Sequence, residues 1–296
     1  MKVIFNFLIY CGKHQNNSLK METYKKTNKR NYDLLKEVPL HIRRAYAKII
    51  LRYGKPKQKL IDLGFGSGSI LIPLAELNKN LEIHGIDYSK KLFKFVKNKI
   101  GKKAILTNGD ILKLNEEYDI VHFKAILHCF QDPQKALDKI SDLVDSGGII
   151  ITGHENSQLE DRIEQIFKHK INEEELELLI NFYFDQRKNM GKSFLGRKFP
   201  AGNSKNAVDY LCRNRDFKLI KIIKSKNLEW NREFRLEDLI YAIKNRTYKV
   251  FDENISKKEN EIIVKKMIEF SIENKIDLKK KRHIPASFVI YLLKKK

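Results

Sequence analysis

Two hydrophobic periodicities alternate along the middle of this chain. Short runs of consecutive apolar residues indicate buried strands, and each run is followed by a stretch in which apolar residues recur at helical spacing. We predict strands over 59–64, 81–87, 103–110, 119–124 and 149–152, and helices over 69–77, 90–100 and 133–145. Strands and helices in this alternation form a parallel sheet that is covered on both faces.

The regions on either side have a different pattern. Residues 33–53 carry a helical apolar stripe that Pro39 is expected to interrupt. After Thr152 the regular alternation ends and mainly helical spacing follows. There we predict helices near 205–213, over 235–246 and over 257–274, and strands near 217–224 and over 286–293.

These patterns predict one α/β domain that carries helical insertions. The expected segments are a poorly ordered N-terminal extension (1–31), an α/β core (32–154), a helical insertion that caps it (155–204), a return to the sheet (205–230), a second helical insertion (231–282) and a last strand with a basic tail (283–296).

The apolar stretch near the N-terminus does not indicate a membrane segment. Residues 3–11 are nine in number, whereas a helix that crosses a bilayer needs about 20 apolar residues. No small-residue cleavage site follows this stretch, which argues against a signal peptide. The three cysteines are far apart and form no C-x-x-C pair, so we expect neither a disulfide framework nor a metal site. These features favour a cytoplasmic protein.

Positive charge lies mainly outside the core. The formal net charge is +22, and residues 61–150 contribute nothing to it because their 12 basic and 12 acidic residues balance. Residues 1–60 carry 15 basic and 3 acidic residues, and residues 151–296 carry the rest of the excess. Basic flanks are typical of nucleic-acid binding. An A/T-rich genome would give the same excess of lysine, so both explanations stay open.

A glycine-rich turn follows the first predicted strand. The sequence IDLGFGSGS places Asp62 before three glycines, Gly64, Gly66 and Gly68. Glycines at a strand-to-helix turn let backbone amides approach a ligand closely. The spacing differs from the G-x-G-x-x-G fingerprint of dinucleotide-binding proteins, because Ser69 occupies the position of the last glycine. This difference argues against a nicotinamide dehydrogenase.

Further polar residues end the neighbouring predicted strands. Asp87 ends the second strand, and Asn108 and Asp110 follow the third. Ligands of open α/β sheets bind at the carboxyl ends of the strands, so these residues are expected to meet at one site. There Asp87 would accept hydrogen bonds from two ribose hydroxyls.

With these motifs the chain resembles the class I S-adenosylmethionine-dependent methyltransferases. The resemblance covers residues 33–152 and includes YDIVHFKAILHCFQDPQKALDKISDLVDSGGIIIT, which is similar to the segment that follows the glycine motif in small-molecule members of that family. It implies S-adenosylmethionine as the cofactor. It also implies a Rossmann-like, doubly wound sheet of seven strands, mainly parallel, in which residues 286–293 form an antiparallel last strand.

The resemblance also implies roles for individual residues. The glycines would face the methionine and ribose of the cofactor, and Asp62 would orient its ammonium group. Tyr88 would lie against the adenine and Asp110 would accept from the adenine amino group. The complete implied cofactor set is Asp62, Gly64, Phe65, Gly66, Gly68, Asp87, Tyr88, Asn108, Asp110, Ile111, Phe123 and Lys124, of which the last two would line the methyl-transfer face.

The sequence signals for the methyl acceptor are less specific than those for the cofactor. Lys124 stands where metal-dependent catechol enzymes carry an aspartate, and FKAILH replaces the N-P-P-Y motif of enzymes that methylate amino groups of nucleic-acid bases. His128 is the candidate for a catalytic polar group near the acceptor. Candidates for contact with the acceptor are Tyr32, His154, Glu155, Arg197 and Arg246. The arginines and Lys124 favour an anionic acceptor.

We therefore expect a methyltransferase that acts on the oxygen, nitrogen or carbon of a small molecule by in-line transfer. An RNA or protein methyltransferase that uses the basic flanks is the alternative. A cofactor-binding protein without catalysis is the third possibility.

Overall fold

The computed structural model describes residues 38–157, 174–192, 204–245 and 255–296. Its helices are α1 (Leu40–Leu51), α2 (Leu71–Leu77), α3 (Lys90–Ile100), α4 (Pro133–Asp142), α5 (Glu174–Asn189), α6 (Ser204–Asn214), α7 (Leu236–Lys244) and α8 (Lys257–Glu273). Its strands are β1 (Lys59–Leu63), β2 (Glu82–Asp87), β3 (Ile105–Asn108), β4 (Tyr118–Lys124), β5 (Val144–Ser157), β6 (Phe217–Ile223), β7 (Glu229–Phe234) and β8 (Arg282–Lys295).

The strands form one mixed sheet. Within the described residues the order is β3-β2-β1-β4-β5-β8-β6, and β7 pairs with β8 off this path. Strands β1 to β5 are parallel, and β8 runs antiparallel to β5, β6 and β7. The predicted doubly wound sheet with an antiparallel last strand is therefore confirmed, with β7 as an additional eighth strand.

Apolar side chains on each face of the sheet pack under helices. On one face, residues of α4 and α6 cover Val121, Phe123 and Ile150. On the other face, residues of α1, α2 and α3 cover Leu60, Ile120 and Ile151. A third apolar cluster joins α5, α7 and α8, and Phe234 at the end of β7 belongs to it. We call this third unit the cap.

β5 and β8 extend beyond the parallel part of the sheet. The last pair between β4 and β5 joins Lys124 to Gly153, after which β5 continues along β8 as far as Ser157. β7 pairs with residues 282–287 of β8 on its other side, so the two pairings overlap at Ala286 and Ser287. Residues 154–157, 229–234 and 282–289 thus form a three-stranded extension at the carboxyl edge, which we call the ribbon. In the order of the chain, cap helix α5 comes after β5, α7 comes after β7, and α8 comes before β8.

The ribbon corrects two predicted boundaries. Residues 155–157 lie in β5, whereas the first helical insertion was predicted to begin at 155; residues 158–173 lie outside the described part. Residues 231–234 lie in β7, so the second insertion begins after the strand and not at 231. Both segments are polar and lack a clear alternation, and their pairing to β8 determines their conformation. Pro39 does not interrupt α1 but is its N-cap residue, a position that requires no backbone N–H.

Within the described residues, no helix is both long enough and apolar enough to span a membrane. The predicted N-terminal extension, 1–31, lies outside the described part of the chain.

Candidate functional site

The glycine-rich turn after β1 is built by left-handed backbone conformations. Gly64, Gly66 and Gly68 have φ values of 65°, 58° and 77°, which residues with a Cβ adopt only at a cost. A Cβ on Gly64 would lie 2.5 Å from the Ile126 side chain. The amide of Gly64 donates to the carbonyl of Ile86 at 2.8 Å, which ties the turn to β2. The predicted turn is therefore present at the carboxyl edge of the sheet.

Asp87 connects the end of β2 to this turn. One carboxylate oxygen, Oδ2, accepts from the Gly66 amide at 2.7 Å, and Oδ1 accepts from the Ser89 amide at 2.8 Å. Burial raises the pKa of Asp87, and the two amide donors offset part of this rise. A carboxylate has about four lone-pair sites, so two remain for further donors. The arrangement fits the ribose hydroxyls of a nucleoside next to the glycine turn.

The end of β3 completes an open cavity beside Asp87. The cavity has a volume of about 460 Å³, and Tyr88, Asn108 and Gly109 are among its lining residues. The Asn108 side-chain amide donates to the carbonyls of Asp87 and Tyr88 at 2.8 and 3.1 Å. Asp110 accepts from the Leu112 amide at 3.0 Å and so begins a short turn that holds Ile111. The predicted adenine residues thus lie together, although Asn108 acts through its bonds to the backbone.

Asp62 belongs to a buried polar network on the α1 face of the sheet. His122 Nδ1 lies 2.7 Å from Asp62 Oδ1, and His122 Nε2 lies 3.3 Å from the Tyr46 hydroxyl. The side chains of Asp62, His122 and Tyr46 are buried, with exposed fractions of 3%, 1% and 0%, respectively. Burial, together with the negative charge of Asp62, raises the pKa of Tyr46 beyond its ordinary range. Its hydroxyl therefore stays protonated and donates to Nε2, which leaves Nδ1–H to donate to Asp62.

Gly153 makes room for this network. A Cβ at Gly153 would lie 2.3 Å from the Tyr46 hydroxyl oxygen, a distance that real Cβ atoms do not show. The glycine in β5 is therefore required by the close approach of α1. It lies opposite Lys124 in the sheet register.

Lys124 begins a second cluster, which leads from β4 into the ribbon. Its Nζ lies 5.2 Å from the centre of the Phe288 ring, and Phe288 packs on Trp230 at 4.9 Å. The Arg232 guanidinium lies 5.8 Å from the Trp230 ring and forms an ion pair with Glu155 at 2.5 Å. We call these five residues the ribbon cluster. Phe288 also packs edge-on against Tyr46, so the two clusters are in contact.

The structure places several predicted site residues elsewhere. The side chains of Phe65 and Phe123 are buried in the two sheet cores, with exposed fractions of 5% and 1%, and their contact with the cofactor stays a prediction. His154 stacks on Tyr291 at 5.8 Å, on the face opposite Glu155, because successive residues of a strand point to opposite faces. The His128 backbone lies in the turn Leu127–Cys129 after β4, and its side chain is outside the described part. Tyr32, Arg197 and Arg246 also lie outside the described residues.

Sequence reasoning missed Tyr46, His122 and Arg232 as members of these clusters. His122 was detectable, because a polar residue inside the apolar run DIVHFK needs a buried partner. Arg232 gave no local signal, since its neighbours are set by the long-range pairing of β7 with β8.

The chain is similar in sequence to known proteins. The sequence model of a family described as "Methyltransferase domain" matches residues 55–254. A carboxy-S-adenosyl-L-methionine synthase from Nautilia profundicola is 28% identical over 209 residues, which cover 62% of this chain and 77% of that protein. An uncharacterised methyltransferase from Geobacillus thermodenitrificans is 30% identical over 102 residues, covering 33% of this chain and 46% of that protein.

Solved structures of similar shape share little sequence with this chain. A putative methyltransferase from Bacillus halodurans superimposes with a TM-score of 0.49 at 14% identity, over 85% of this chain and 97% of that one.

Proposed function

The chain belongs to the methyltransferase-domain family and is an S-adenosylmethionine-dependent methyltransferase, and from that premise we propose that its acceptor is a small molecule. The resemblance inferred from the sequence is thereby confirmed, as is the cofactor. The nature of the acceptor and the roles of individual residues belong to the proposal.

The observation that carries the proposal is the ribbon with its cap. The ribbon extends from the edge where Gly64, Asp87 and Lys124 lie, and the cap packs onto its far end through Phe234. An ion pair between Arg282 of β8 and Glu175 of α5 joins the ribbon to the cap. Elements that extend over the reaction edge limit the size of the acceptor. The relative from Nautilia profundicola is itself named for a small-molecule product.

The residues present fit the cofactor. When bound, S-adenosylmethionine supplies a methyl group that a sulfonium centre activates for displacement. Asp87 would accept the two ribose hydroxyls with the lone pairs that Gly66 and Ser89 leave open. The turn around Gly64 and Gly68 would present backbone amides to the methionine part. Ile111 and Tyr88 would flank the adenine, and Asp110 would accept from its amino group.

The reaction needs positioning more than acid–base catalysis. The bound cofactor would supply the methyl carbon to a lone pair of the acceptor and would keep the electron pair of the broken carbon–sulfur bond, while the proton of the acceptor would pass to water or a side chain. An oriented nucleophile close to the methyl group accounts for most of the acceleration. We assign this positioning to the carboxyl end of β4, where Lys124 lies and where His128 follows. His128 stays a prediction as the group that takes the proton.

The experiment is a titration of the purified protein with S-adenosylmethionine and with NADH, followed by a screen of small acceptors with methyl-labelled cofactor. We expect binding of the first ligand only, and a loss of at least tenfold in affinity in Asp87→Ala, since two charge-assisted hydrogen bonds are removed. Lys257→Gln, a change at an exposed lysine of α8, serves as the control and should bind as the wild type does. Labelled products from small acceptors would support the proposal, and labelling of RNA or protein alone would contradict it.

A basic groove favours RNA as a second acceptor class. Arg44 and Lys48 of α1, with Arg52 at its C-cap, form an exposed stripe, and Lys226 lies on the opposite side of a groove of about 680 Å³. Spacing of four residues places the three side chains of the stripe on one helical face. A shift of labelled RNA that weakens steeply with salt and is lost in Lys48→Gln with Arg52→Gln would support this candidate. The absence of a shift at low salt would exclude it.

A further inference from the structure

The buried network of Tyr46, His122 and Asp62 ends beside the glycine turn. Asp62 lies two residues before Gly64, and the β1–β4 register places it opposite His122. His122 donates to Oδ1 of Asp62 at 2.7 Å, which leaves Oδ2 to accept from another donor. The negative charge of Asp62 is one of the causes that raise the pKa of Asp87, so the two carboxylates are near each other. The network therefore reaches the edge of the sheet where the proposed cofactor residues lie.

Asp62 and Asp87 place negative charge at this edge without a strong cation beside it. In the part of the chain that the structure describes, neither carboxylate forms an ion pair with a lysine or an arginine. Asp62 pairs with His122, and Asp87 accepts from two backbone amides. Both carboxylates are buried, and buried charges in proteins are usually paired. A cationic group of the bound ligand would balance this charge, and S-adenosylmethionine carries an ammonium group on its methionine part.

The contacts of His122 determine how the Asp62 carboxylate is oriented. The Tyr46 hydroxyl stays protonated and donates to His122 Nε2 at 3.3 Å, so the ring proton is on Nδ1, the nitrogen that faces Asp62. Gly153 leaves the space for the Tyr46 hydroxyl, because a Cβ at this glycine would lie 2.3 Å from the oxygen. His122 is almost fully buried, so water has little access to replace its hydrogen bond.

We infer that His122 and Tyr46 are positioning residues for the cofactor, which hold Asp62 so that its Oδ2 accepts a hydrogen bond from the ammonium group of S-adenosylmethionine. This inference rests on the proposed function, which places the cofactor at this edge of the sheet. Both residues act through Asp62 and not by contact with the cofactor. A purely structural role would weaken every ligand of the site alike, whereas positioning of Asp62 affects only ligands that carry the ammonium group.

The test compares S-adenosylhomocysteine with its desamino analogue, in which a hydrogen replaces the ammonium group. Both ligands are titrated into the purified full chain by calorimetry. We expect His122→Phe to weaken the binding of S-adenosylhomocysteine about tenfold or more, because a charge-assisted hydrogen bond loses its geometry, and to leave the analogue unchanged. Asp62→Asn should give the same pattern. In the Asp62→Asn background His122→Phe should cause no further loss, since the two residues act as a unit.

His122→Asn is the conservative variant. An asparagine amide presents an N–H near the position of Nδ1, so we expect it to recover most of the affinity that His122→Phe loses. Tyr46→Phe should weaken S-adenosylhomocysteine severalfold and leave the analogue unchanged, and it provides the test if His122→Phe does not fold. Ile151→Val is the matched control, because Ile151 lies opposite His122 on β5 and in the same apolar core as Tyr46. It should change the affinity for neither ligand.

Equal losses for the two ligands in His122→Phe or Tyr46→Phe would assign the network a structural role alone and overturn the inference. Unchanged binding of S-adenosylhomocysteine in these variants, or equal binding of the two ligands by the wild type, would also overturn it. Asp87→Ala should weaken both ligands, because both carry the ribose. This titration and the acceptor screen test the proposed function separately, so its failure is distinguishable from failure of the inference.

Discussion

The partner of Asp62 provides the sharpest prediction about stability. In His122→Phe a ring of similar shape remains, but the Nδ1–H that lies 2.7 Å from the carboxylate is lost. Asp62 has an exposed fraction of 3%, and His122 is its hydrogen-bond partner within the described residues. Leaving a buried acceptor without its hydrogen-bond donor costs about 1–3 kcal/mol, and more when the acceptor is charged. We expect a loss of this size in the free energy of unfolding at pH 8.

The loss comes from the charge of a buried carboxylate that keeps no donor. It should therefore be smaller when Asp62 is replaced by Asn together with His122→Phe, because a neutral amide costs less to bury without a partner than a charged group does. Tyr46→Phe removes only the 3.3 Å bond to Nε2 and should cost about 0.5–1.5 kcal/mol.

Chemical denaturation followed by the fluorescence of Trp230, the single tryptophan, measures these quantities. Trp230 lies in the same core as Tyr46, so its signal reports on this face of the sheet. The double variant Asp62→Asn with His122→Phe serves as the control, since it removes the charge together with its partner. A cost below about 1 kcal/mol for His122→Phe would refute the reasoning.

Three further predictions follow from the same geometry. Gly153→Ala should lower the free energy of unfolding by about 1–3 kcal/mol, because the new Cβ overpacks the core. Tyr46→Phe should recover part of this cost, because it removes the oxygen that would lie 2.3 Å from the new Cβ. If the effects of the two variants are additive in a thermodynamic cycle, the reasoning is wrong. Gly68→Ala should weaken the binding of S-adenosylhomocysteine at least tenfold, as measured by calorimetry. The reason is that φ of Gly68 is 77° and that the new Cβ would lie 2.9 Å from Ile72. Unchanged affinity would argue against a role of the glycine turn in binding. The pKa of Asp87 is raised above its ordinary 3.8, so protons bind more tightly in the folded state. The contribution of this group to stability is therefore present below 3.8 and lost as pH rises through the raised pKa. Binding that needs the ionised carboxylate should correspondingly weaken on acidification through that pKa, and Asp87→Asn should show weak binding without this dependence.

The parallel half of the sheet was predictable because its signals are local. The helix predicted over 90–100 is α3, Lys90–Ile100, and the strand predicted over 119–124 is β4, Tyr118–Lys124. The glycine turn and Asp87 were also recognisable from the sequence. A turn with left-handed backbone requires closely spaced glycines, and the carboxylate directly follows an apolar run, so both leave a short and specific pattern of residues. Their relative position then followed from the rule that parallel strands end at one edge.

The ribbon was not predictable in the same way. The segment Glu229–Phe234 contains charged residues on both faces, and Gly153–Ser157 resembles a loop. Both become strands because β8 supplies hydrogen-bond partners along its 14 residues. The paired residues of β8 lie 48–58 positions from those of β7 and more than 100 positions from those of β5. The aromatic and charged side chains of the ribbon cluster meet only through this pairing.

The sequence by itself thus determined the fold class, the cofactor and the edge of the sheet where the cofactor residues lie, because each depends on neighbours within a few residues. The tertiary structure decided which polar residues share a buried network and which cations lie beside aromatic rings. Asp62, His122 and Tyr46 come from three separate elements, and so do Lys124, Glu155 and Arg232. Such contacts depend on strand register and helix packing, which place residues distant in the chain within a few ångströms of each other.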